Sequence, residues 1–447
     1  MVAGFVFARS MALAEWPNVS AVRLKAGFPA YSASLPQRPA SDLLSSAPPS
    51  LFGFTKATSP LGEARSLQTK ASHALYIHIP FCIRKCHYCD FVSYPGRSPA
   101  EMAAYCTDLE REMALVAGKW LPGPAATVYI GGGTPTVLPA CNLEQLLAAV
   151  DRFFGRRQGA EVTIEANPGT VDGAKLRALA AAGVNRLSLG VQAFDDDLLR
   201  AMGRIHRRRD IYRAWELARR AGFNNVNLDL IFGLPGQDLD AWRAALKEAV
   251  ALQPEHIAAY SLQVEEDTPW GRLAAAGDLP LPGEELELVM YQEARQILAA
   301  AGYKQYEISN FARPGYHCRH NLTYWLNGPY LGLGAAAASH WQGRRWRNYS
   351  ELHRYRHALS SSRLPREEIE TLTPRQQMAE TMFMGLRLMA GVDLEAFRQR
   401  FGVDACTVYA REIECLYRAG LIEEKDGRLK LTEKGLPLAN EVFVEFI

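Results

Sequence analysis

Short β-rich runs alternate with helical stretches along most of the chain after residue 74. The runs rich in Val, Ile, Leu and Tyr cover residues 75–79, 127–130, 162–165, 186–189, 226–231 and 256–260. The stretches between them are rich in Ala, Leu, Arg and Glu and cover residues 143–153, 174–182, 211–221 and 241–252. Strands separated by helices form parallel βαβ units with right-handed crossovers. Six such units predict an α/β fold, a partial (β/α)6 TIM-like barrel, because a complete barrel has eight.

The C-terminal part follows a different pattern. A helix is predicted at 286–301 and a strand at 305–308, and the polar segment 360–368 is interpreted as a linker. Helices are then predicted at 375–388, 393–401 and 408–419, followed by a hairpin at 420–431 whose Asp426-Gly427 pair favours a tight turn. Helices followed by a hairpin predict a small, winged-helix-like C-terminal domain. Its acidic residues argue against a phosphate-facing surface, so we expect an accessory packing domain.

These patterns divide the chain into four regions. Residues 1–70 form an extension, 71–310 the partial barrel, 311–365 a segment with a histidine-aromatic motif and the linker, and 366–447 the C-terminal domain. The extension is rich in Ala, Ser and Pro without periodicity, which is typical of disorder or of a start codon assigned too far upstream. An organelle transit peptide is the alternative, because such peptides are Ser-rich and poor in acidic residues.

Composition narrows the class of protein. The 447 residues are 48% hydrophobic and 22% charged, with a net charge of only +2, so neither nucleic acid nor an anionic membrane surface is an expected partner. No apolar run is long enough to span a bilayer. We therefore expect a cytoplasmic protein, or an organellar one if residues 1–70 are a transit peptide.

Three of the eight cysteines crowd into one stretch directly after the first predicted strand. Cys82, Cys86 and Cys89 have the spacing C-x3-C-x2-C. Three thiolates on one loop can hold three corners of a [4Fe–4S] cluster and leave one iron without a protein ligand. The alternative is a zinc site with His78 or His87 as fourth ligand, although structural zinc more often uses paired C-x2-C units. The other cysteines at 106, 141, 406 and 415 are interpreted as small core residues.

The cysteine spacing resembles the radical S-adenosylmethionine (SAM) superfamily, and further motifs lie at successive strand ends. They are GGGTP at 131–135, EANP at 165–168, Gln192 after LGV, Arg204 in MGRIH, and Asp229 in NLDLIFGLPG. The resemblance implies a cluster-bound SAM, with glycines that let backbone groups approach the cofactor. The implied SAM-binding residues are Tyr76, Tyr88, Gly132, Gly133, Thr134, Glu165, Gln192, Arg204 and Asp229.

A closer resemblance, over residues 74 to about 440, is to the oxygen-independent coproporphyrinogen III oxidase group. It is carried by HIPFC at 78–82, GLPGQ at 233–237 and QYEISNF at 305–311. One branch decarboxylates coproporphyrinogen III, and another binds haem and passes it to acceptor proteins. The oxidase branch has an extra cysteine where this chain has Phe91, and the haem-carrying branch has an H-N-x-x-Y-W motif, which this chain has at 320–325.

The resemblance therefore implies a haem chaperone, with the coproporphyrinogen III dehydrogenase as the alternative. His320 is the implied haem ligand, since imidazole is a good axial ligand, and a hydrogen-bonded loop histidine is its ordinary alternative. Cys318 and His317 are close enough in sequence to be other ligands. The expected partners are haem, a haem-accepting protein and an electron donor. Contact with a membrane acceptor would be peripheral, and the oligomeric state stays open, with a dimer as one option.

Overall fold

The computed structural model describes residues 73–119 and 123–447. The extension predicted at 1–70 lies outside the described residues. The strands are β1 His73–Ile79, β2 Phe81–Cys82, β3 Tyr94–Pro95, β4 Ala125–Gly132, β5 Arg156–Ala166, β6 Arg186–Gln192, β7 Val226–Phe232, β8 His256–Ser261, β9 Lys304–Glu307, β10 Asn310–Ala312, β11 Tyr330–Leu333, β12 Ala338–Trp341, β13 Arg344–Asn348, β14 Arg366–Thr371, β15 Val392–Asp393, β16 Ile422–Lys425 and β17 Arg428–Leu431.

The α-helices are α1 Pro99–Val116, α2 Ala140–Phe153, α3 Gly173–Ala181, α4 Asp196–Ala201, α5 Arg208–Arg220, α6 Leu239–Ala251, α7 Pro269–Ala276, α8 Glu284–Ala300, α9 Arg319–Trp325, α10 Leu352–Ser360, α11 Pro374–Gly385, α12 Leu394–Phe401, α13 Ala405–Val408, α14 Ala410–Arg418 and α15 Ala439–Val444. The predicted helices are confirmed to within a few residues as α2, α3, α5, α6, α8, α11, α12 and α14. Helix α1 was not predicted.

The main sheet confirms the six parallel strands and extends beyond them. Its order is β14-β13-β12-β11-β1-β4-β5-β6-β7-β8-β10-β9, in which β1 and β4–β8 are mutually parallel. Strand β11 adds a further parallel pairing to β1, and antiparallel strands complete both edges. The carboxyl ends of the six parallel strands therefore meet at one end of a partial barrel, where (β/α) barrels place their active sites.

The central strands are buried on both faces, which explains their long apolar runs. Every residue of β4, β6 and β7 is buried. The helices between strands pack on the outside of the sheet and form one large core. A second core joins α9 to the C-terminal helices through Trp325, Met382 and Phe397, so the short helix α9 lies between the barrel and the C-terminal elements.

The predicted hairpin is present. Strands β16 and β17 pair antiparallel around Asp426 and Gly427, whose φ angles of 55° and 70° are those of a turn with two left-handed residues. Strand β15 adds a third strand to this small sheet, next to the helices α11–α14. The C-terminal elements therefore have the predicted winged-helix-like arrangement, in which helices are followed by a β-hairpin.

Two expectations need correction. The segment interpreted as a linker runs into β14, which pairs with β13, so the main sheet continues past residue 365. Its sequence is polar because β14 is an edge strand whose side chains are mostly solvated. Of the four cysteines interpreted as core residues, only Cys106 is buried; Cys141 and Cys415 are exposed and Cys406 is half-buried. They occupy outward-facing positions of their helices.

Helix α1 is bonded to the edge of the barrel through a buried glutamate and to the first strand through a buried tyrosine. Glu112 accepts hydrogen bonds from the backbone N–H of Gly334 at 2.7 Å, from the hydroxyl of Tyr355 at 2.6 Å and from the amide of Asn348 at 2.6 Å. Burial raises its pKa to about 7, because water cannot solvate the charged form there. Two turns earlier in the same helix, Tyr105 donates to the carbonyl of His78 at 2.8 Å, next to the start of the cysteine loop.

We predict that Glu112→Ala lowers the free energy of unfolding by about 2–4 kcal/mol, because three buried donors lose their acceptor. Glu110→Ala, on the exposed side of the same helix, is the matched control and should change it by less than about 1 kcal/mol, the usual worth of a surface ion pair. Chemical denaturation of the two variants measures the difference. Equal losses would contradict the role assigned to Glu112.

Candidate functional site

The cysteine loop, residues 80–89, leaves the carboxyl end of β1 and is hydrogen-bonded to the glycine loop, residues 131–135, which follows β4. Its first residues form β2, which pairs with β3. The backbone N–H groups of Gly133 and Thr134 donate to the carbonyls of Ile79 and Phe81 at 2.9 and 2.8 Å. The Thr134 hydroxyl lies 3.7 Å from the sulfur of Cys82. The two loops are therefore one rigid unit at the mouth of the barrel.

The three thiols of the cysteine loop interact with one another. Cys82 is buried, whereas Cys86 and Cys89 are half-buried. Burial, together with the neighbouring Cys86 and Cys82, raises the pKa of the Cys89 thiol to about 12. A bound metal would compensate the charge of the thiolates in this group. A guanidinium nitrogen of Arg204 lies 3.5 Å from the sulfur of Cys86 and adds one compensating charge.

The geometry does not favour the zinc alternative. His78 places its ring nitrogens 3.0 Å from the Tyr76 hydroxyl and 3.1 Å from the carbonyl of Val92. His87 uses Nδ1 on the carbonyl of Ala201 at 2.8 Å. Within residues 73–119 and 123–447, no three His, Cys, Asp or Glu side chains converge closely enough to share a single metal ion.

The glycine loop has no room for side chains. A Cβ atom on Gly133 would lie 2.6 Å from the carbonyl oxygen of Phe81 and 3.0 Å from the sulfur of Cys82. On Gly132, whose φ is 113°, it would lie 2.7 Å from the imidazole of His78. Real Cβ atoms do not approach so closely, so these positions require glycine for packing as well as for backbone conformation.

Four of the predicted SAM-binding side chains come from β5, β6, β7 and the segment between α4 and α5. Glu165 accepts hydrogen bonds from the Tyr129 hydroxyl at 2.8 Å and from the N–H of Gly132 at 3.2 Å. Asp229 accepts from Ser188 and Asn227, and burial raises its pKa. Arg204 donates to the carbonyl of Gly190 at 2.7 Å.

The fourth of these side chains, Gln192, is fully buried, and its φ is 70°. Neither polar atom of its amide has a hydrogen-bond partner among the described residues. A buried amide without partners costs free energy unless a bound group satisfies it. A Cβ placed on Gly190 would lie 3.0 Å from both the Gln192 amide and the Arg204 guanidinium, so these two side chains adjoin. The donors and acceptors at this end of the barrel fit a polar cofactor such as SAM.

The remaining predicted residues of the pocket are the two tyrosines. Tyr76 bonds His78 and stacks on Tyr129, with ring centroids 6.2 Å apart. Tyr88 packs against Trp270 at 5.8 Å, and Trp270 in turn donates its backbone N–H to the carbonyl of His87. Tyr76 on β1 therefore packs on β4, and Tyr88 within the cysteine loop packs on α7.

The H-N-x-x-Y-W motif forms helix α9, and its His, Tyr and Trp are buried. His320 is 1% exposed. Its Nδ1 lies 2.9 Å from the hydroxyl of Thr127 and its Nε2 lies 2.9 Å from that of Tyr324. Trp325 packs under the guanidinium of Arg387 at 4.4 Å. In this conformation both ring nitrogens of His320 are hydrogen-bonded and the aromatic residues pack on protein.

The two neighbours of His320 that were considered as ligands are also enclosed. Cys318 is fully buried, with its sulfur 3.6 Å from a carboxylate oxygen of Glu161, and burial raises its pKa to about 12. The ring of His317 meets that of Tyr306 edge-on at 4.8 Å. Glu161 also accepts the backbone N–H groups of Arg319 and His320, each at 2.9 Å, and thus caps α9.

Two residues of the site, Tyr129 and Glu161, were missed from sequence, and His78 was considered only as a zinc ligand. Tyr129 bonds Glu165, His78 supports Gly132, and Glu161 caps α9. A signal existed for each, because Tyr129 and Glu161 are polar residues inside buried strands, and His78 directly precedes the Ile-Pro-Phe-Cys run. Their partners, however, are far away in sequence.

Comparisons with known proteins agree with this geometry. Residues 76–249 match the family model of the radical SAM superfamily, and residues 372–438 match that of the HemN C-terminal domain. The structure resembles that of the coproporphyrinogen III oxidase HemN from Escherichia coli, with a TM-score of 0.74, 24% identity, and coverage of 87% of this chain and 93% of that one. The chain is a member of the radical SAM superfamily.

Sequence similarity to individual relatives narrows the assignment from the superfamily to one family. The heme chaperone HemW of Bacillus subtilis is 40% identical over 83% of this chain and 98% of its own length. That of Lactococcus lactis is 38% identical over 84% and 97%. Within the superfamily, the chain belongs to the HemW family.

The enclosure of His320 generates a prediction about acid stability. Burial lowers its pKa to about 3, whereas the unfolded chain should titrate near the ordinary value of 6.5. The unfolded state therefore binds a proton first, and stability that is complete above pH 6.5 is lost as the pH falls towards 3. When the pH falls from 7 to 5, we expect the buried His320 to lower the free energy of unfolding by about 2 kcal/mol.

Denaturant unfolding of the wild type and His320→Gln at both pH values measures this cost. The variant should lose about 2 kcal/mol less than the wild type over this interval. His357→Gln, which changes an exposed histidine of α10, is the control and should keep the wild-type dependence. An unaltered dependence in His320→Gln would show that the ring is open to protons in the folded state.

Proposed function

We propose that this protein is a haem chaperone that carries a [4Fe–4S] cluster, binds SAM beside it, and transfers haem to an acceptor protein. The observation that supports the proposal most strongly is the 40% identity over 98% of the length of a relative named heme chaperone HemW. The three-cysteine loop, the polar strand ends around it and the buried motif helix α9 are consistent with that function.

Cys82, Cys86 and Cys89 would hold the cluster, and its fourth iron would have no protein ligand. When bound, such a cluster can deliver one electron to the sulfonium of SAM. The chain's own contribution is to position SAM and to exclude water. Gly132 and Gly133 let the glycine loop pack closely against His78 and the cysteine loop, Glu165 and Asp229 offer carboxylates for hydroxyl or amino groups, and Gln192 offers the unpaired amide.

The haem site is proposed at His320, with Cys318 as a second candidate ligand. The lowered pKa of His320 keeps the imidazole neutral at physiological pH, the form that can coordinate iron. Its Nε2 is hydrogen-bonded to Tyr324, so iron binding requires that bond to open. Because the Tyr324 hydroxyl competes with iron for Nε2 of His320, haem binding is reversible. Reversible binding suits a protein that must release its haem. Coordination by Cys318 would additionally require ionisation of a thiol that burial keeps protonated.

The alternative is an oxygen-independent coproporphyrinogen III dehydrogenase, which would use the same cluster and SAM pocket. Phe91, at the position of the oxidase's extra cysteine, favours the chaperone. We further propose a cytoplasmic location, an electron donor for the cluster, and peripheral contact with any membrane-bound acceptor. In the described part of the chain, no helix is long and apolar enough to cross a membrane.

The first prediction of this proposal concerns the cluster. Anaerobically purified protein should contain about four irons and four sulfides per chain. Cys82→Ala, Cys86→Ala and Cys89→Ala should each lose most of them, because a methyl group offers no soft ligand. Cys141→Ala, at an exposed position of α2, is the control and should keep full iron and its absorbance. Zinc in the wild type, or full iron in the loop variants, would exclude the cluster.

The second prediction separates chaperone from oxidase. The purified protein should bind haem stoichiometrically and should not convert coproporphyrinogen III, even with SAM and a strong reductant. His320→Ala should change the haem spectrum and weaken binding roughly tenfold or more, the scale on which metal sites respond to lost coordination. Adding Cys318→Ala should weaken it further only if the thiolate is a ligand, and the exposed His353→Ala is the control.

Haem titration followed by absorbance gives the affinities, and product analysis tests conversion. Multiple turnovers of coproporphyrinogen III to protoporphyrinogen IX would replace the chaperone with the dehydrogenase. Wild-type haem affinity in His320→Ala would keep the chaperone but move its site elsewhere.

A further inference from the structure

We infer that Tyr129 is a positioning residue for both proposed sites: its hydroxyl orients Glu165 for SAM, and its ring orients the imidazole of His320. The inference rests on the proposed function, because it assigns SAM to the mouth of the barrel and haem to His320. Tyr129 belongs to β4, which ends at the glycine loop and lies against α9, so one strand reaches both sites.

The hydroxyl contact fixes one carboxylate oxygen. Tyr129 donates to Oε1 of Glu165 at 2.8 Å, and the N–H of Gly132 donates to Oε2 at 3.2 Å. Each carboxylate oxygen thus has one donor from β4, which holds the plane of the carboxylate. Burial and the nearby carboxylates of Glu165 and Asp229 raise the pKa of Tyr129 well above its ordinary value, so the phenol remains a donor.

The packing around Gly131 leaves little space for any other side chain beside Tyr129 and Glu165. A Cβ on Gly131 would lie 2.9 Å from Cε1 of Tyr129 and 3.1 Å from the carboxylate carbon of Glu165. The glycine at 131 therefore allows the Tyr129–Glu165 pair to form, just as Gly132 and Gly133 allow close packing against His78 and the cysteine loop. The pair is enclosed, with Tyr129 only 7% exposed.

The ring of Tyr129 forms the centre of a three-ring stack. It lies between Tyr76 at 6.2 Å and His320 at 5.1 Å, and both interplanar angles are 29°. Tyr324 meets the His320 ring edge-on at an angle of 88°, and Thr127 bonds its Nδ1. Thr127 and Tyr129 are two residues apart on β4 and therefore face the same side of the sheet. The imidazole is thus held on one face by Tyr129 and at both nitrogens by hydroxyls.

Two substitutions separate the two roles. Tyr129→Phe removes the hydroxyl and keeps the ring, so the affinity for SAM should fall about five- to tenfold while haem affinity and the haem spectrum stay as in the wild type. Tyr129→Leu removes the ring as well, so haem binding should also change. Tyr303→Phe, which removes a buried hydroxyl that donates to the carbonyl of Pro254 at 2.7 Å, is the matched control and should change neither affinity.

A double-mutant cycle tests whether Tyr129 acts through Glu165. With SAM affinity measured by equilibrium dialysis on cluster-loaded protein, Glu165→Ala, which removes the acceptor of the Tyr129 hydroxyl, combined with Tyr129→Phe should bind SAM no more weakly than Glu165→Ala alone. Multiplied losses, or an unchanged SAM affinity in Tyr129→Phe, would overturn the inference while leaving the proposed function in place. A wild-type protein that bound neither SAM nor haem would overturn both.

Discussion

The structure of the site depends on close approach between two loops. The cysteine loop follows β1, the glycine loop follows β4, and backbone atoms of one lie against backbone and sulfur atoms of the other. Adjacent parallel strands bring the loops together, but only residues without a Cβ allow them to touch. The position of the thiols, the space beside them and the placement of Glu165 all follow from this contact.

Further contacts lead from the glycine loop into the interior of the barrel. Behind the glycine loop, Glu165 bonds Tyr129, and the ring of Tyr129 stacks on His320 of α9. On the opposite side of α9, Trp325 belongs to the core shared with the C-terminal elements. The mouth of the barrel, the motif helix and the C-terminal elements are therefore joined by packing, and a change at one of them has a direct physical path to the next.

Local patterns predicted the elements and the chemistry that are encoded over short distances. The six parallel strands follow from short β-rich runs, the hairpin from Asp426 and Gly427, and the proposed cluster loop from the spacing of three cysteines. Contacts between distant segments could not be predicted. Glu112 is one acidic residue among several on α1 until Gly334, Tyr355 and Asn348 surround it.

The motif at 320–325 is a second example of contacts between distant segments that could not be predicted. Its residue types predicted a haem site, whereas its burial and the bonds of both ring nitrogens of His320 depend on β4 and on the turn of α9 itself. A polar strand such as β14 resembles a linker in sequence, because pairing with β13 is a tertiary property. Sequence therefore identified the residues that carry chemistry better than it identified the residues that hold them.

The central claim is that this contact between loops holds a cluster whose open iron accepts SAM. Electron–nuclear double resonance on the reduced protein, with SAM carrying ¹⁵N or ¹⁴N in its amino group, tests it most directly. We predict a nitrogen coupling that follows the label in the wild type and is lost in Gly133→Ala, where the new Cβ would meet the carbonyl of Phe81 and the sulfur of Cys82. A cluster spectrum that does not respond to SAM in the wild type would contradict the account.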